Sequence, residues 1–143
     1  GGFLTTHLIG QFPDTFKAAA VRNPVTNIVF MATETDIPDW CYVECGIKNF
    51  EEGHMPTVED MVKLFKASPI AYAENIKTPL LIMLGLKDLR VPPSQGINFH
   101  RLLKARGKVT KCHTYPESTH SLMDSVRTQS DVVINILKWF LQE

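Results

Sequence analysis

One stretch decides the fold of this chain: Leu80-Leu-Ile-Met-Leu-Gly85, followed by the turn Leu86-Lys-Asp-Leu-Arg-Val-Pro-Pro93. Five consecutive apolar residues before a glycine are typical of a strand buried on both faces, as in a parallel sheet covered by helices. Asp88 then follows the carboxyl end of that strand, at the edge of the sheet where α/β proteins bind ligands. The stretch therefore predicts an α/β fold with a functional carboxylate at Asp88.

The next predicted strand, residues 109–115, leads into a loop that carries a histidine, Pro116-Glu-Ser-Thr-His-Ser121. A helix over residues 94–106, ended by Gly107, would connect the two strands. Strand, acidic turn, helix, strand and histidine loop is the order in which an α/β-hydrolase presents the Asp and His of its Ser, Asp, His triad. We therefore expect the Asp88 carboxylate within roughly 2.6 to 3.2 Å of a ring nitrogen of His120, because orienting a base requires direct contact.

The first half of the chain supplies further elements of this fold. A helix is predicted over residues 1–12, with Leu4, Leu8 and Phe12 on one face, and a strand over residues 16–22 that Asn23-Pro24 ends. Residues 25–53 have poor periodicity and predict an excursion of short helices and loops. Its aromatic residues either pack the excursion onto the sheet or line a substrate pocket.

Two more helices carry clear apolar stripes. Thr57 and Asp60 form a predicted capping box, followed by a stripe of Val58, Met61, Val62 and Phe65. The last helix is predicted over residues 128–141, and its stripe is expected to cover the sheet. That stripe consists of Val132, Val133, Ile136, Leu137, Phe140 and Leu141. The three predicted strands are expected to be parallel neighbours between the last two helices.

Composition excludes several classes of protein. The 143 residues include 15 basic and 15 acidic side chains, so the charge balance does not favour a nucleic acid or an anionic membrane as partner. No apolar run approaches the roughly 18 residues of a membrane span, and the start lacks the basic residues of a signal peptide. Three cysteines cannot all pair within one chain, which favours reduced thiols and a cytoplasmic location.

A metal site is a weaker alternative for part of the excursion. Cys41 and Cys45 lie four residues apart and His54 follows them, but no second tight pair completes four ligands. The spacing therefore does not favour a structural metal.

The nucleophile of the predicted triad is missing from residues 1–143. In α/β-hydrolases the serine lies in Gly-x-Ser-x-Gly on a sharp turn between a strand and a helix. Gly1 and Gly2, followed by an apolar helix, are typical of the end of that elbow. We therefore expect the serine two positions before Gly1, so that the chain is the C-terminal portion of an α/β-hydrolase fold that begins after the nucleophile.

The chain resembles the acylaminoacyl-peptidases, a group within the prolyl oligopeptidase family of serine peptidases. The similarity covers the whole chain, and the segments 22–25 and 35–41 are specific to this group. The matching segments are Gly1-Gly-Phe-Leu4, His7-Leu-Ile-Gly-Gln-Phe-Pro13, Arg22-Asn-Pro-Val25, Thr35-Asp-Ile-Pro-Asp-Trp-Cys41, Lys77-Thr-Pro-Leu-Leu81, Leu84-Gly-x-x-Asp-x-Arg-Val-Pro92 and Tyr115-Pro-x-Ser-Thr-His120.

This resemblance implies a site, a substrate and partners. It implies Asp88 as the orienting carboxylate, His120 as the general base and acid, and Arg90, Val91 and Pro92 as the turn that holds Asp88. The substrate would be a short peptide with an N-acylated, typically acetylated, first residue, and neither a metal nor a cofactor would be needed. The partner would be the N-terminal remainder of the enzyme, namely a β-propeller and the early strands, and an exposed strand edge could also support a homo-oligomer.

Three alternatives remain open at the level of sequence. Residues 1–143 would form a single unit, the C-terminal part of a peptidase catalytic domain that is inactive without its serine. A related esterase or dipeptidyl peptidase has the same order of triad residues. A non-catalytic half-domain that serves assembly is the alternative outside enzymes.

Overall fold

A three-stranded parallel sheet lies at the centre of the computed structural model, which describes residues 1–48 and 50–142. The strands are β1 (Ala19–Arg22), β2 (Leu80–Gly85) and β3 (Thr110–Tyr115), in the order β1-β2-β3. The helices are α1 (Gly2–Gln11), α2 (Ile28–Glu34), α3 (Pro38–Glu44), α4 (Val58–Lys66), α5 (Pro93–Ala105) and α6 (Val126–Gln142), with a 3₁₀ segment at Pro69–Asn75. The predicted α/β class and the parallel order of the strands are confirmed.

The central strand β2 is buried along its whole length, as its sequence predicts. Because side chains alternate along a strand, Leu80, Ile82 and Leu84 pack in one layer with α5, whereas Leu81 and Met83 pack in the other layer with α6. The sheet therefore lies between two helical layers, which is why all six residues can be apolar or glycine.

Several element boundaries and caps agree with the sequence. The capping box of α4 is present, with Thr57 and Asp60 satisfying each other's backbone N–H groups. Gly107, at φ +70°, lies just beyond the end of α5, and the excursion contains the short helices α2 and α3. The predicted strand over residues 16–22 is shorter in the structure, since β1 begins at Ala19 and Phe16 is exposed.

The apolar faces predicted for three helices differ from the faces that the structure buries. In α1 the buried residues are Thr6, Ile9 and Gly10, whereas Leu4 and Phe12 are exposed. In α4 the whole predicted stripe is exposed, and Leu64 is buried in its place.

The stripe of α6 differs from its prediction for a similar reason. Val132 is buried and Ile136 packs against the same cluster, as predicted, but Val133, Leu137, Phe140 and Leu141 are exposed, and Trp139, outside the predicted stripe, is buried. Periodicity shows that a helix has an apolar face, but the rotation of the helix against a three-stranded sheet decides which residues are covered.

In residues 1–48 and 50–142, none of the helices combines the length and the apolar character that a membrane span requires.

Gly85 allows the two loops at the carboxyl end of the sheet to approach each other. A Cβ at this position would overlap the backbone carbonyl oxygens of Ser118 and Thr119. The backbone N–H of Leu86 donates to Tyr115 O at 3.0 Å, and that of Lys87 donates to Ser118 O at 3.0 Å. The turn after β2 and the loop after β3 are therefore joined main chain to main chain.

We expect Gly85→Ala to destabilise the fold by about 1–3 kcal/mol, because a backbone carbonyl cannot move aside as a flexible side chain can. Denaturant unfolding of the chain measures the effect. Gly1→Ala is the matched control, since a Cβ there meets nothing within 4 Å. Equal stability of the two variants would contradict the close approach of the loops.

Candidate active site

Asp88 lies on the tight turn that follows β2, and its side chain is fully buried. Its Oδ1 accepts hydrogen bonds from the backbone N–H groups of Arg90 and Val91, both at 2.9 Å. Pro92 follows as the N-cap of α5 in an extended conformation, at φ −51° and ψ 135°. These contacts place the backbone of Arg90 and Val91 against Asp88, and Pro92 follows at the start of α5 without a contact to it.

His120 contacts the other oxygen of the same carboxylate. Its Nδ1 lies 2.7 Å from Asp88 Oδ2, which confirms the distance predicted from the sequence. An ionised carboxylate only accepts hydrogen bonds, so Nδ1 carries the proton in this pair. The Nε2 atom is then left to exchange protons with a bound group, and the His120 side chain as a whole is 49% exposed.

The loop that carries His120 is held by its own neighbours. Asp124 accepts hydrogen bonds from the hydroxyl and the backbone N–H of Thr119, and these bonds lower the pKa of the Asp124 carboxyl. Leu122 adopts a left-handed backbone at φ +52°, which is costly for a leucine, but its side chain is buried against β2 and α6. Packing of Leu122 thus fixes the chain just after His120.

The start of α1 lies beside the same site. Gly1 and Gly2 line a cleft of about 370 Å³ together with His120. Gly2 packs so closely on the segment after β1 that an added Cβ would lie 2.8 Å from Pro24 Cα. The residues predicted as the end of a nucleophile elbow therefore share one cleft with His120, whereas the elbow itself stays a prediction.

The cleft has an apolar wall and two cationic side chains. Phe3 and Trp40 form an edge-to-face pair with ring centroids 5.9 Å apart, while Tyr42 stacks on Phe50 at 4.9 Å outside the cleft. Trp40 of the excursion thus lines the cleft, whereas Tyr42 and Phe50 pack with residues of α2 and α4 and not directly on the sheet. The remaining lining residues are Arg22, Asn23, Val25, Met31, Ile37, Arg90 and Val91.

Arg22 and Asn23 were absent from the site predicted by sequence. In the sequence, Asn23-Pro24 predicts the end of a strand, and Arg22-Asn-Pro-Val25 is one of the segments that carry the family resemblance; neither indicates a role in the site. Their position at the carboxyl end of a parallel strand was the available signal, since Asp88 and His120 follow the same ends of their strands.

The segment 35–36 is tied to the Asp88 turn. The Thr35 hydroxyl donates to Arg90 O at 2.6 Å, and Arg90 Nε donates to Asp36 Oδ1 at 2.9 Å. Both members of the ion pair are about half exposed, so the pair contributes only about 0–1 kcal/mol. The pair joins the excursion to the Asp88 turn beside the cleft, which Arg90 and Ile37 line.

Two residues of the weaker metal alternative, His54 and Cys41, have other surroundings in the structure. His54 Nε2 lies 3.0 Å from Asp60 Oδ2, at the cap of α4. Cys41 is buried, and that burial raises the pKa of its thiol to about 12. Within residues 1–48 and 50–142, no group of three or more His, Cys, Asp and Glu side chains is arranged to hold a metal ion.

Comparison with known proteins assigns the family. A model of the prolyl oligopeptidase family matches residues 1–143. This chain belongs to that family. Its relatives include the acylamino-acid-releasing enzymes of Sus scrofa, 48% identical over 97% of this chain, and of Arabidopsis thaliana, 46% identical over 98%. The chain spans only 19% and 18% of the lengths of these two relatives.

Solved structures agree with the family. The acylaminoacyl peptidase of Pyrococcus horikoshii superimposes with a TM-score of 0.81 at 27% identity, over 97% of this chain and 22% of its own. The chain therefore has the α/β-hydrolase fold of a serine peptidase of the prolyl oligopeptidase family, and it corresponds to one part of these longer relatives.

We expect Asp88→Asn to change the tautomer of His120 while the turn stays intact. The amide oxygen can still accept from Arg90 and Val91, but the amide NH₂ then faces Nδ1, which must become the acceptor. Nitrogen-15 NMR of the His120 ring would report the proton on Nε2. Asp36→Asn, on the neighbouring segment, should leave the tautomer unchanged, and a proton that stays on Nδ1 in Asp88→Asn would refute the assigned contact.

Proposed function

We propose that residues 1–143 form the C-terminal part of the catalytic domain of an acylaminoacyl-peptidase, which releases an N-acylated residue from the front of a blocked peptide. The observation that carries this proposal is the 2.7 Å contact of Asp88 with His120, a residue that lines one cleft together with the start of α1. The relatives named as acylamino-acid-releasing enzymes, up to 48% identical to this chain, support the choice of substrate class.

In this proposal His120 acts first as a base and then as an acid. A serine hydroxyl attacks the carbonyl of the acylated residue, and its proton passes to His120 Nε2. The same proton then leaves with the amine of the shortened peptide as the peptide bond breaks. Water deacylates the serine with His120 again as the base, while the Asp88 carboxylate stabilises the imidazolium in both stages.

The lining of the cleft supports a substrate with a blocked amino terminus. A free terminal ammonium bound in a partly desolvated cleft needs a carboxylate partner. The described residues that line this cleft include no Asp or Glu, and its charged groups are Arg22 and Arg90. An acylated nitrogen is neutral and needs no such partner, so the part of the cleft that this chain forms suits a blocked amino terminus.

The apolar wall of the cleft supports a peptide ligand with an uncharged side chain or acyl group. Phe3, Met31, Ile37 and Trp40 provide contact area for an uncharged side chain or acyl group. One similar structure is an acylaminoacyl peptidase in complex with Z-Gly-Gly-Phe-chloromethyl ketone, at 27% identity and a TM-score of 0.81.

The serine and the early strands are proposed to come from the polypeptide before Gly1. Among the described residues β1 pairs only with β2, so its other edge is open. A trough of about 660 Å³ lies beside that edge, lined by Gly1, Val21 and the exposed α6 residues Val133 and Phe140. An added parallel strand would pair with β1, cover this apolar surface and place its final turn next to Gly1.

The complete natural polypeptide that contains residues 1–143 should release the acetylated residue from an N-acetyl peptide. His120→Gln should lower kcat by on the order of a million-fold, because the nucleophile loses its base. His113→Gln on β3 is the matched control and should stay within a few-fold of the parent. Normal hydrolysis by His120→Gln would overturn the assignment.

Residues 1–143 alone should not react with a fluorophosphonate probe, since a histidine and a carboxylate lack both the nucleophile and the oxyanion donors. Labelling should appear at the added serine when the polypeptide that precedes Gly1 is supplied. Stoichiometric labelling of the chain alone, for instance at Ser118 or Ser121 beside His120, would show that the nucleophile is misassigned. Failure of the supplied mixture to label would favour the non-catalytic half-domain.

A further inference from the structure

Asn23 ends β1 with a backbone that most residues avoid. It adopts a left-handed conformation at φ +43°, and it is only 3% exposed. Asparagine is among the few residues that tolerate this region, because its short polar side chain can hydrogen-bond locally. The conformation turns the chain away from the sheet at the level of Gly85, while the Asn23 N–H still donates to Met83 O at 2.9 Å.

The side chain of Asn23 joins the strand that carries Asp88 to the loop that carries His120. Its Oδ1 accepts from the backbone N–H of Gly85 at 2.8 Å, at the point where the main chain of β1 leaves the ladder. Its Nδ2 donates to the backbone carbonyl of His120 at 2.7 Å and lies 3.4 Å from that of Thr119. Both ends of the buried amide are therefore paired, each with a different side of the site.

The same segment also contacts the start of α1. Pro24, the next residue, lies against Gly2, and Arg22 O is the other close neighbour of that glycine. The segment 22–24 thus touches all three elements that the proposed mechanism uses: the end of β2 before Asp88, the His120 loop and the first turn of α1.

We propose that Asn23 is a positioning residue that fixes His120 relative to Asp88 and to the nucleophile. This inference rests on the proposed function only in giving His120 the role of the base. Because Nδ2 binds the main-chain carbonyl of His120 itself, the amide sets where the imidazole lies along the carboxyl edge of the sheet. Loss of this contact lets the His120 loop move while the Asp88 turn keeps its own backbone bonds to Arg90 and Val91.

Two variants separate the hydrogen bonds from the backbone conformation. Asn23→Gly keeps the left-handed backbone and removes both side-chain contacts. Asn23→Asp keeps the shape and the acceptor for Gly85, but it places a carboxylate oxygen against the carbonyls of His120 and Thr119. Thr26→Val is the matched control, because it removes a buried 2.9 Å bond to Gln95 O nearby without touching the His120 loop.

In the complete natural polypeptide, both Asn23 variants should lower kcat by on the order of 100-fold with KM within a few-fold, because small misplacement of a catalytic group has that effect. Thr26→Val should leave kcat close to that of the parent, although it should lower the stability of the fold about as much as the Asn23 variants do. In proton NMR, the downfield resonance of the His120 Nδ1 proton should persist in Thr26→Val and broaden or move upfield in both Asn23 variants.

The possible outcomes distinguish a failure of the positioning role of Asn23 from a failure of the proposed function. An unchanged His120 resonance together with parental kcat in both Asn23 variants would overturn the positioning role, as would a loss of kcat in Thr26→Val as large as in the Asn23 variants. If the parent polypeptide hydrolyses no acyl-peptide, the proposed function fails. The His120 resonance then still tests whether Asn23 positions the ring.

Discussion

The parallel pairing of β2 with β3 is the constraint on which the site depends. The pairing extends to Gly85 opposite Tyr115, so both strands end together and their following loops leave from the same point. Gly85 then lets the loops meet main chain to main chain, which brings Asp88 and His120 to 2.7 Å. A shift of register by one residue would move every β2 side chain to the other helical layer, and the apolar packing on both faces resists that change.

The buried charge of Asp88 is stabilised by the turn that carries it. A carboxylate removed from water is costly unless hydrogen bonds replace its hydration. Here two backbone N–H groups and the His120 ring donate to the two oxygens. The outer ion pairs, Arg90 with Asp36 and Lys87 with Glu117, are exposed and contribute little to stability. Backbone geometry, more than surface charge, therefore holds the carboxylate in place.

An exposed apolar surface lies beside the open edge of β1. The open edge of β1, the trough beside it and the exposed stripe of α6 lie next to Gly1, where the proposed nucleophile strand would join. Asn23 lies at the end of the same strand and binds the His120 loop. Asn23, the proposed positioning residue, therefore directly follows β1, the strand at whose open edge the rest of the hydrolase sheet is proposed to join.

The sequence by itself determined the class of fold, the strand β2, the order of the Asp88 turn and the His120 loop, and the resemblance to acylaminoacyl-peptidases. These features are local: an apolar run, a glycine, a cap or a short motif is sufficient to predict each of them. Only the tertiary structure decided which faces of α1, α4 and α6 are buried, since helix rotation depends on the elements packed against them. It also decided the role of Asn23, because a residue that appears locally as a strand end becomes a bridge only when Gly85 and His120, far away in sequence, fold against it.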